Sequence, residues 1–160
     1  MIVKPYTAAY LPNIAALEEK QYPPALQMGE DGLRAELEKA GGVSMVVFHN
    51  GEVVGYIIAY DDENEPGCTY ISNLSCVSKR ALWWLLIALF GNGDRQYTAE
   101  CRPVSLRLLK RKKYREIVAI TQETGLPDYY DPGEHACRVT FTVNPYSFGI
   151  VERCAWHVVH

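Results

Sequence analysis

The sequence lacks a hydrophobic run long enough to cross a membrane. Its longest unbroken apolar stretch is Ala81–Phe90, ten residues, whereas a membrane-spanning helix needs about twenty. The amino end also lacks the basic start and apolar core of a signal peptide. Charge is nearly balanced at a formal net of -3, and 48% of the residues are hydrophobic, which excludes global disorder. We therefore expect a soluble cytoplasmic protein.

Cysteine is scarce and irregularly spaced. The five cysteines include no CxxC pair, and an odd, scattered set does not make a disulfide framework. The nearest metal-like spacings are His135-x-Cys137 and His157-x-x-His160, and neither has a second cluster beside it. We therefore predict no metal site and interpret the cysteines as small buried thiols in a reducing compartment.

Charge is distributed unevenly along the chain. Residues 1–78 carry 4 basic and 11 acidic side chains, and residues 79–160 carry 12 and 8. Seven basic residues and no acidic one lie between Arg102 and Arg115. Such a run can bind the phosphates of a nucleic acid or a cofactor, and it can equally be one solvated helix face. The pI near 5.8 argues against a dedicated nucleic-acid binder.

Hydrophobic periodicity predicts strands and helices within one domain. Asn50-Gly51 predicts a hairpin, Gly41-Gly42 a helix end and Pro103 a helix start. The predicted strands are 2–6, 44–49, 53–60, 69–77, 96–101, 114–122 and 137–143, the helices are 8–20, 29–40, 81–90 and 103–113, and a loop spans 123–134. The order β-α-α-β-β-β-α-β-α-β-β indicates an α+β (mixed α/β) fold. Residues 1–144 form the domain, and 145–160 a tail that packs on it or on a partner.

Four segments together carry a family resemblance. The first strand and helix are matched by IVKPYTAAYLPNIAALEEKQYP and the hairpin by GEVVGYIIAY. The fourth strand with its cofactor loop is matched by YISNLSCVSKR, and the fifth strand with the helix after it by YTAECRPVSLRLLKRKKYREI. In this order they resemble the GNAT N-acetyltransferase superfamily over about residues 1–144. The resemblance implies a twisted, mostly antiparallel central sheet flanked by helices.

The resemblance also implies an acetyl-CoA site in a V-shaped opening between the fourth and fifth strands. Pantetheine would pair with the backbone of the fourth strand, and the pyrophosphate would lie at the amino end of the next helix. The implied cofactor-binding residues are Leu74, Cys76, Val77, Lys79, Arg80, Ala81 and Leu82. Residues 22–24 and 128–133 would lie where members of the superfamily contact acceptor substrates, and exposed turn chemistry explains these segments equally well.

Three features depart from the superfamily pattern. Its cofactor loop normally reads (Q/R)xxGx(G/A), but the segment SKRALWW that follows Val77 contains no glycine and is shorter. Leu109 stands where the superfamily often has a general-acid tyrosine, and leucine cannot donate a proton. Arg102 and Lys113 replace an asparagine and a glycine.

Glu100 and Tyr114 are the candidate catalytic residues. Glu100 lies one residue before the end of the predicted fifth strand, where it could act through water as a base. Alternatively it pairs with Arg102 or Arg107 on the surface. Tyr114 could donate a proton. Further side chains could hold a water or donate a proton, and packing explains each of them equally well: Tyr70, Asn73, Ser75, Tyr129 and Tyr130.

The helix predicted at 81–90 has no polar position, which indicates burial on more than one side. Trp83 and Trp84 project about 100° apart, so both cannot easily face the same sheet. One would be covered by the tail or by another protein chain, as in a homo-oligomer or a protein assembly.

Two functions follow from these observations. The favoured hypothesis is a GNAT-fold protein with a degenerate acetyl-CoA site that acts by protein–protein binding, or as a phage structural or accessory component associated with the virion. The alternative is an active acetyl-CoA-dependent N-acetyltransferase that acetylates an amine of a small molecule or protein. Both require the strands near Leu74 and Glu100 to splay apart beside a helix that begins just after Lys79.

Overall fold

Seven strands and three helices make up the part of the chain that the structure describes. The structure, a computed structural model, describes residues 1–91, 96–101, 103, 106–107, 110–111 and 118–143, with the backbone alone at 130 and 131. The strands are β1 Ile2–Pro5, β2 Met45–His49, β3 Glu52–Asp61, β4 Cys68–Cys76, β5 Gln96–Cys101, β6 Val118–Asp131 and β7 Glu134–Val143. The helices are α1 Leu11–Gln21, α2 Gly29–Leu37 and α3 Lys79–Phe90, with 3-10 turns at Ala8–Tyr10 and Pro24–Leu26.

The strands form one sheet in the order β1-β2-β3-β4-β5-β7-β6. Every neighbouring pair is antiparallel except β4 and β5, which are parallel. A parallel pair needs a crossover, and α3 lies in the connection between β4 and β5. The predicted α+β class, with a mostly antiparallel sheet flanked by helices, is confirmed.

Helices cover both faces of the sheet, because alternate strand residues point to opposite sides. On one face the core contains Ala81, Leu85 and Leu89 of α3. On the other face it contains apolar residues of α1 and α2, namely Leu11, Ile14, Leu17, Leu33 and Leu37. The two faces therefore have separate cores, and β4 and β5 lie between them.

Buried Glu18 fastens the start of α2 to α1. The two oxygens of its carboxylate accept hydrogen bonds from the backbone N–H groups of Met28, at 3.0 Å, and Gly29, at 3.1 Å. Because the first N–H groups of a helix lack intrahelical partners, an acceptor here stabilises the helix start. A carboxylate on the preceding helix thereby takes the place of an N-cap side chain.

We expect Glu18→Ala to lower the free energy of unfolding by about 2 kcal/mol, since two charge-assisted hydrogen bonds are lost. Glu19→Ala is the matched control: Glu19 is the exposed neighbour on the same helix, and its removal should cost under about 0.5 kcal/mol. Urea unfolding followed by circular dichroism measures both values. Equal losses in the two variants would contradict the role given to Glu18.

The loop predicted at 123–134 is wrong. β6 continues to Asp131, and a two-residue turn containing Gly133, at φ 85°, leads directly into β7. The loop prediction rested on the turn residues around Pro127. Those residues are tolerated because β6 is the last strand of the sheet, where a proline interrupts no second ladder. A register shift between Leu126 and Asp131 takes up the irregularity.

Several predictions fall on parts of the chain that the structure does not describe. The helix predicted at 103–113 is described only at Pro103, Leu106, Arg107, Lys110 and Arg111, of which the first three are helical. The tail at 145–160 and four residues of the predicted site lie outside the described residues: Arg102, Leu109, Lys113 and Tyr114. Within the described ranges, no helix is both long and apolar enough to cross a membrane.

Candidate active site

β4 and β5 pair over only part of their length. Their parallel pairs run from Cys68–Gln96 to Ile71–Ala99, whereas β4 stays paired with β3 as far as Cys76. Beyond Ala99, β5 stays paired with β7 as far as Cys101. The end of β4 therefore has no strand partner on its β5 side among the described residues. The β4–β5 ladder thus stops short of the end of β4, as the predicted opening requires.

Alternation along β4 decides which backbone groups face the opening. The N–H of Val77 donates to the carbonyl oxygen of Val54, next to β3, at 3.0 Å. Since alternate residues of a strand direct their backbone to opposite neighbours, Leu74 and Cys76 direct theirs towards the opening. Burial raises the pKa of the Cys76 thiol to about 11, so at neutral pH this residue offers backbone groups rather than a thiolate.

α3 begins three residues after the end of β4, next to the opening. Ser78 is its N-cap, and the Ser78 hydroxyl accepts a hydrogen bond from the N–H of Ala81 at 3.2 Å. The side chain of Ala81 is buried in the core, so this residue turns no side chain towards the opening. The Nε of Arg80 is buried and has no hydrogen-bond partner within the described residues. A helix N-terminus with a cation carrying an unused donor favours an anion.

These groups fit the chemistry of acetyl-CoA. The backbone of Leu74 and Cys76 offers a strand edge to an amide-containing arm, and the start of α3 offers N–H donors and the Arg80 guanidinium to a pyrophosphate. The glycines expected in the cofactor loop are absent. However, Val77, Ser78 and Lys79 are exposed, so a ligand can approach the backbone here even though no glycine is present.

Glu100 lies one residue beyond the last β4–β5 pair, on the sheet face that carries α1 and α2. Its Oε1 accepts a hydrogen bond from Arg138 Nη1 at 2.6 Å, and its Oε2 accepts one from the Tyr70 hydroxyl. Arg138 stands opposite Glu100 in the β5–β7 register. The sequence offered Arg102 and Arg107 as partners of Glu100. The cation that pairs with Glu100 in the structure is Arg138.

Arg138 also holds a second carboxylate. Its Nη2 lies 2.6 Å from Asp62 Oδ2, and the Asp62 side chain is 3% exposed. Asp62 accepts further hydrogen bonds from the Thr98 hydroxyl and from the backbone N–H of Asn64. Burial opposes the charge of Asp62, but these hydrogen bonds and the guanidinium together hold its pKa below the usual value. One cation therefore serves two carboxylates.

Glu36 of α2 forms a separate polar cluster on the same face. Its carboxylate accepts hydrogen bonds from Tyr60, at 2.7 Å, and Ser72, at 2.5 Å, and it pairs with Lys39 at 2.8 Å. Burial alone would raise the pKa of Glu36, but these partners lower it. The cluster ties α2 to β4 beside the opening.

The structure brings most of the predicted site residues together. Leu74, Cys76 and Val77 lie along one side of the opening, Lys79 to Leu82 form the first turn of the helix next to it, and Glu100 lies across it on β5. The described residues contain no group of three or more His, Cys, Asp or Glu side chains able to hold a metal ion.

Asp62 and Arg138 were missed by reasoning from the sequence. They are 76 positions apart, and they meet only because β7 lies beside β5 in the sheet. No local motif marks either residue. The signal that could have found Arg138 is that it is the only charged residue in the predicted strand 137–143.

The solved structures that resemble this chain include several acetyltransferases. The ribosomal-protein-S18-alanine N-acetyltransferase of Escherichia coli matches with a TM-score of 0.65 and 13% identity, over 89% of this chain and 92% of that one. The aminoglycoside 6'-N-acetyltransferase of Enterococcus faecium gives 0.64 and 13%, over 91% and 98%. The diaminobutyrate acetyltransferase EctA of Paenibacillus lautus, in complex with L-2,4-diaminobutyric acid and coenzyme A, gives 0.55 and 16%, over 91% and 95%.

No protein-family model and no curated protein sequence matches the chain. The likeness is therefore one of structure, and at this identity it establishes the fold. The described element order, the single parallel pair and the opening beside α3 agree with it. The chain has the GNAT acetyltransferase fold.

Proposed function

We propose that the chain is an acetyl-CoA-dependent N-acetyltransferase. The observation that carries this proposal is the opening between β4 and β5: pairing stops at Ile71–Ala99 while β4 continues to Cys76. An uninterrupted sheet would have no unpaired strand edge at this position. Here the edge leads directly to the start of α3, which places strand donors and a helix N-terminus side by side.

The residues of the opening divide into binding and proton-handling groups. Leu74 and Cys76 would bind the pantetheine arm through their backbone, and Lys79 and Arg80 the pyrophosphate. Acetyl-CoA, when bound, supplies an acetyl group as a thioester that an amine can attack. Glu100 lies next to the last β4–β5 pair and is held in place by Arg138, so we assign it to receive the proton of the acceptor amine.

Of the two functions considered from the sequence, we now favour the enzyme over the non-catalytic binding role. A non-catalytic binding role rested on the absent glycines, on the all-apolar helix and on Leu109, which lies outside the described residues. The open strand edge, the unused Arg80 donor and the acetyltransferase structures that share the fold support the enzyme better. Nothing in the structure supports a phage origin or a virion-associated role.

Calorimetric titration with acetyl-CoA tests the proposal. We expect a dissociation constant on the order of 10 μM. The double variant Lys79→Glu, Arg80→Glu should weaken binding by about 100-fold, because two charge-assisted contacts are replaced by repulsion.

Lys4→Glu with Lys20→Glu is the matched control. It changes the net charge by the same amount at two exposed positions on β1 and α1, so binding should stay within about threefold. No detectable heat from the wild-type chain at millimolar acetyl-CoA would overturn the enzyme and leave the binding role as the better account.

A further inference from the structure

The carboxylate of Glu100 has little access to a substrate. Its side chain is 9% exposed. Arg138 occupies one of its oxygens, and the Tyr70 hydroxyl occupies the other. Both oxygens of Glu100 are therefore already hydrogen-bonded, and of its two partners the Tyr70 hydroxyl is the one that can both give and accept a proton.

Tyr70 stands at the apex of the opening. It pairs with Thr98 in the β4–β5 register, one residue before the last pair of that ladder. Its side chain lies on the face of α1 and α2, where its ring packs edge-on against Tyr60 with 5.5 Å between centroids. The Arg138 guanidinium lies 5.7 Å from the centre of the Tyr70 ring. These contacts leave the ring little freedom, and its hydroxyl remains directed at Glu100.

We propose that Tyr70 is a catalytic residue that passes the proton of the acceptor amine to Glu100. The inference rests on the proposed function and replaces the water-mediated route with a side chain. A phenol both donates and accepts a hydrogen bond. With its proton directed to Glu100, Tyr70 still has an oxygen lone pair for the N–H of an amine.

The proton count balances without a further reactant. As the amine nitrogen attacks the thioester carbonyl, an N–C bond forms, the C–S bond breaks and coenzyme A leaves as a thiolate. The N–H bond of the amine breaks, and an O–H bond forms at Tyr70 Oη. The original O–H bond of Tyr70 breaks, and its proton joins Glu100 Oε2. Tyr70 is a neutral phenol before and after the transfer. Glu100 begins as a carboxylate and ends as a carboxylic acid.

Neighbouring side chains support both ends of this relay. Arg138, anchored by buried Asp62, is a positioning residue that keeps Glu100 pointed at Tyr70. Tyr129 of β6, which is 48% exposed, interacts with Tyr70. It gives the relay a link to solvent through which Glu100 can lose its proton after each turnover.

A measurement on the ligand-free chain tests the contact itself. Burial and the Glu100 carboxylate together raise the pKa of Tyr70 far above its usual value. The ¹³Cζ signal of Tyr70, assigned by its loss in Tyr70→Phe, should therefore remain that of a neutral phenol well above pH 10. Glu100→Gln should move the ionisation of Tyr70 to lower pH. An ionisation that Glu100→Gln leaves unchanged would overturn the relay without bearing on acetyl-CoA binding.

Turnover is tested with the same variants. CoA release from acetyl-CoA is measured with a panel of primary amines and with water as acceptor. Tyr70→Phe should lower kcat by about 100-fold or more and leave the dissociation constant of acetyl-CoA unchanged. The control Tyr60→Phe removes a neighbouring hydroxyl that bonds Glu36 rather than Glu100, and its kcat should stay within about threefold.

The double variant separates a relay from two independent effects. Groups that act in series give losses that do not multiply, so Tyr70→Phe with Glu100→Gln should be no slower than the slower single variant. Multiplying losses, or a Tyr70→Phe variant as fast as wild type, would overturn the relay alone. A wild-type chain that neither binds nor turns over acetyl-CoA would overturn the proposed function and the relay with it.

Discussion

Replacing Arg138 by Met is expected to lower the free energy of unfolding by about 3–5 kcal/mol at neutral pH. The variant leaves the carboxylates of Asp62 and Glu100, 3% and 9% exposed, without their shared cation. Methionine fills most of the space, so the loss reports uncompensated charge rather than a cavity. Urea unfolding at pH 7 measures it.

Two further variants show whether buried charge is the cause. Arg34→Met removes a guanidinium that pairs with Glu30 and Asp31 on the exposed face of α2, and it should cost under about 1 kcal/mol. Adding Asp62→Asn to Arg138→Met removes one uncompensated charge and should restore about half of the lost stability. If Arg34→Met cost as much as Arg138→Met, burial would not be what makes Arg138 important.

The effect of Arg138→Met should also depend on pH. In the wild type the pKa of Asp62 is lowered. Its contribution to stability is therefore present above the unfolded-state pKa of about 4 and is lost as the pH falls through the folded value. Without Arg138, burial acts with less opposition and should raise this pKa above the usual value. The difference between variant and wild type should then narrow as the pH is lowered from 7 to about 4.

Local turn chemistry made much of the fold readable from the sequence. Asn50 and Gly51 lie at φ 52° and 84° and connect β2 to β3 as predicted. The spacing of Leu11, Ile14 and Leu17 on α1 identified apolar positions that are buried, but it did not reveal that Glu18 is buried with them. Each of these signals lies within one element or one turn. The opening between β4 and β5 was expected from a resemblance that combined several of them.

The proton-handling groups could not be predicted in the same way. Glu100 and Arg138 are 38 positions apart, and their contact depends on the register of β5 against β7. A shift of one residue would turn Arg138 to the other face of the sheet. The long β6 was hidden for a related reason, because Pro127 and its neighbours are compatible with a strand only at the edge of a sheet. Strand order and register therefore determine which of these side chains meet, and local sequence patterns do not reveal either.

The buried side of helix α3 also could not be predicted from the sequence. Every residue from Ala81 to Phe90 is apolar, so no polar side marks which residues face the sheet. In the structure Ala81, Leu85 and Leu89 form the buried stripe, whereas Trp84 is 37% exposed. Whether the tail or another chain covers Trp84 stays a prediction.

Truncating Leu85 and Trp84 in turn gives the second large expected effect. Leu85 is fully buried between α3 and the sheet, so Leu85→Ala removes apolar contacts and leaves a cavity that close packing cannot fill. We expect a loss of about 3–5 kcal/mol. Trp84→Ala removes the larger side chain, but from a partly exposed position, and should cost about 1 kcal/mol or less. Urea unfolding of both variants at a protein concentration of a few micromolar measures the contrast.

The contrast decides what lies on the outer side of α3. A loss in Trp84→Ala as large as that in Leu85→Ala would mean that Trp84 is covered, contrary to its exposure in the structure. A loss that grows with protein concentration would then identify the cover as another copy of the chain, because the stability of an associated state depends on concentration. A loss that does not change with concentration would assign the cover to the same chain.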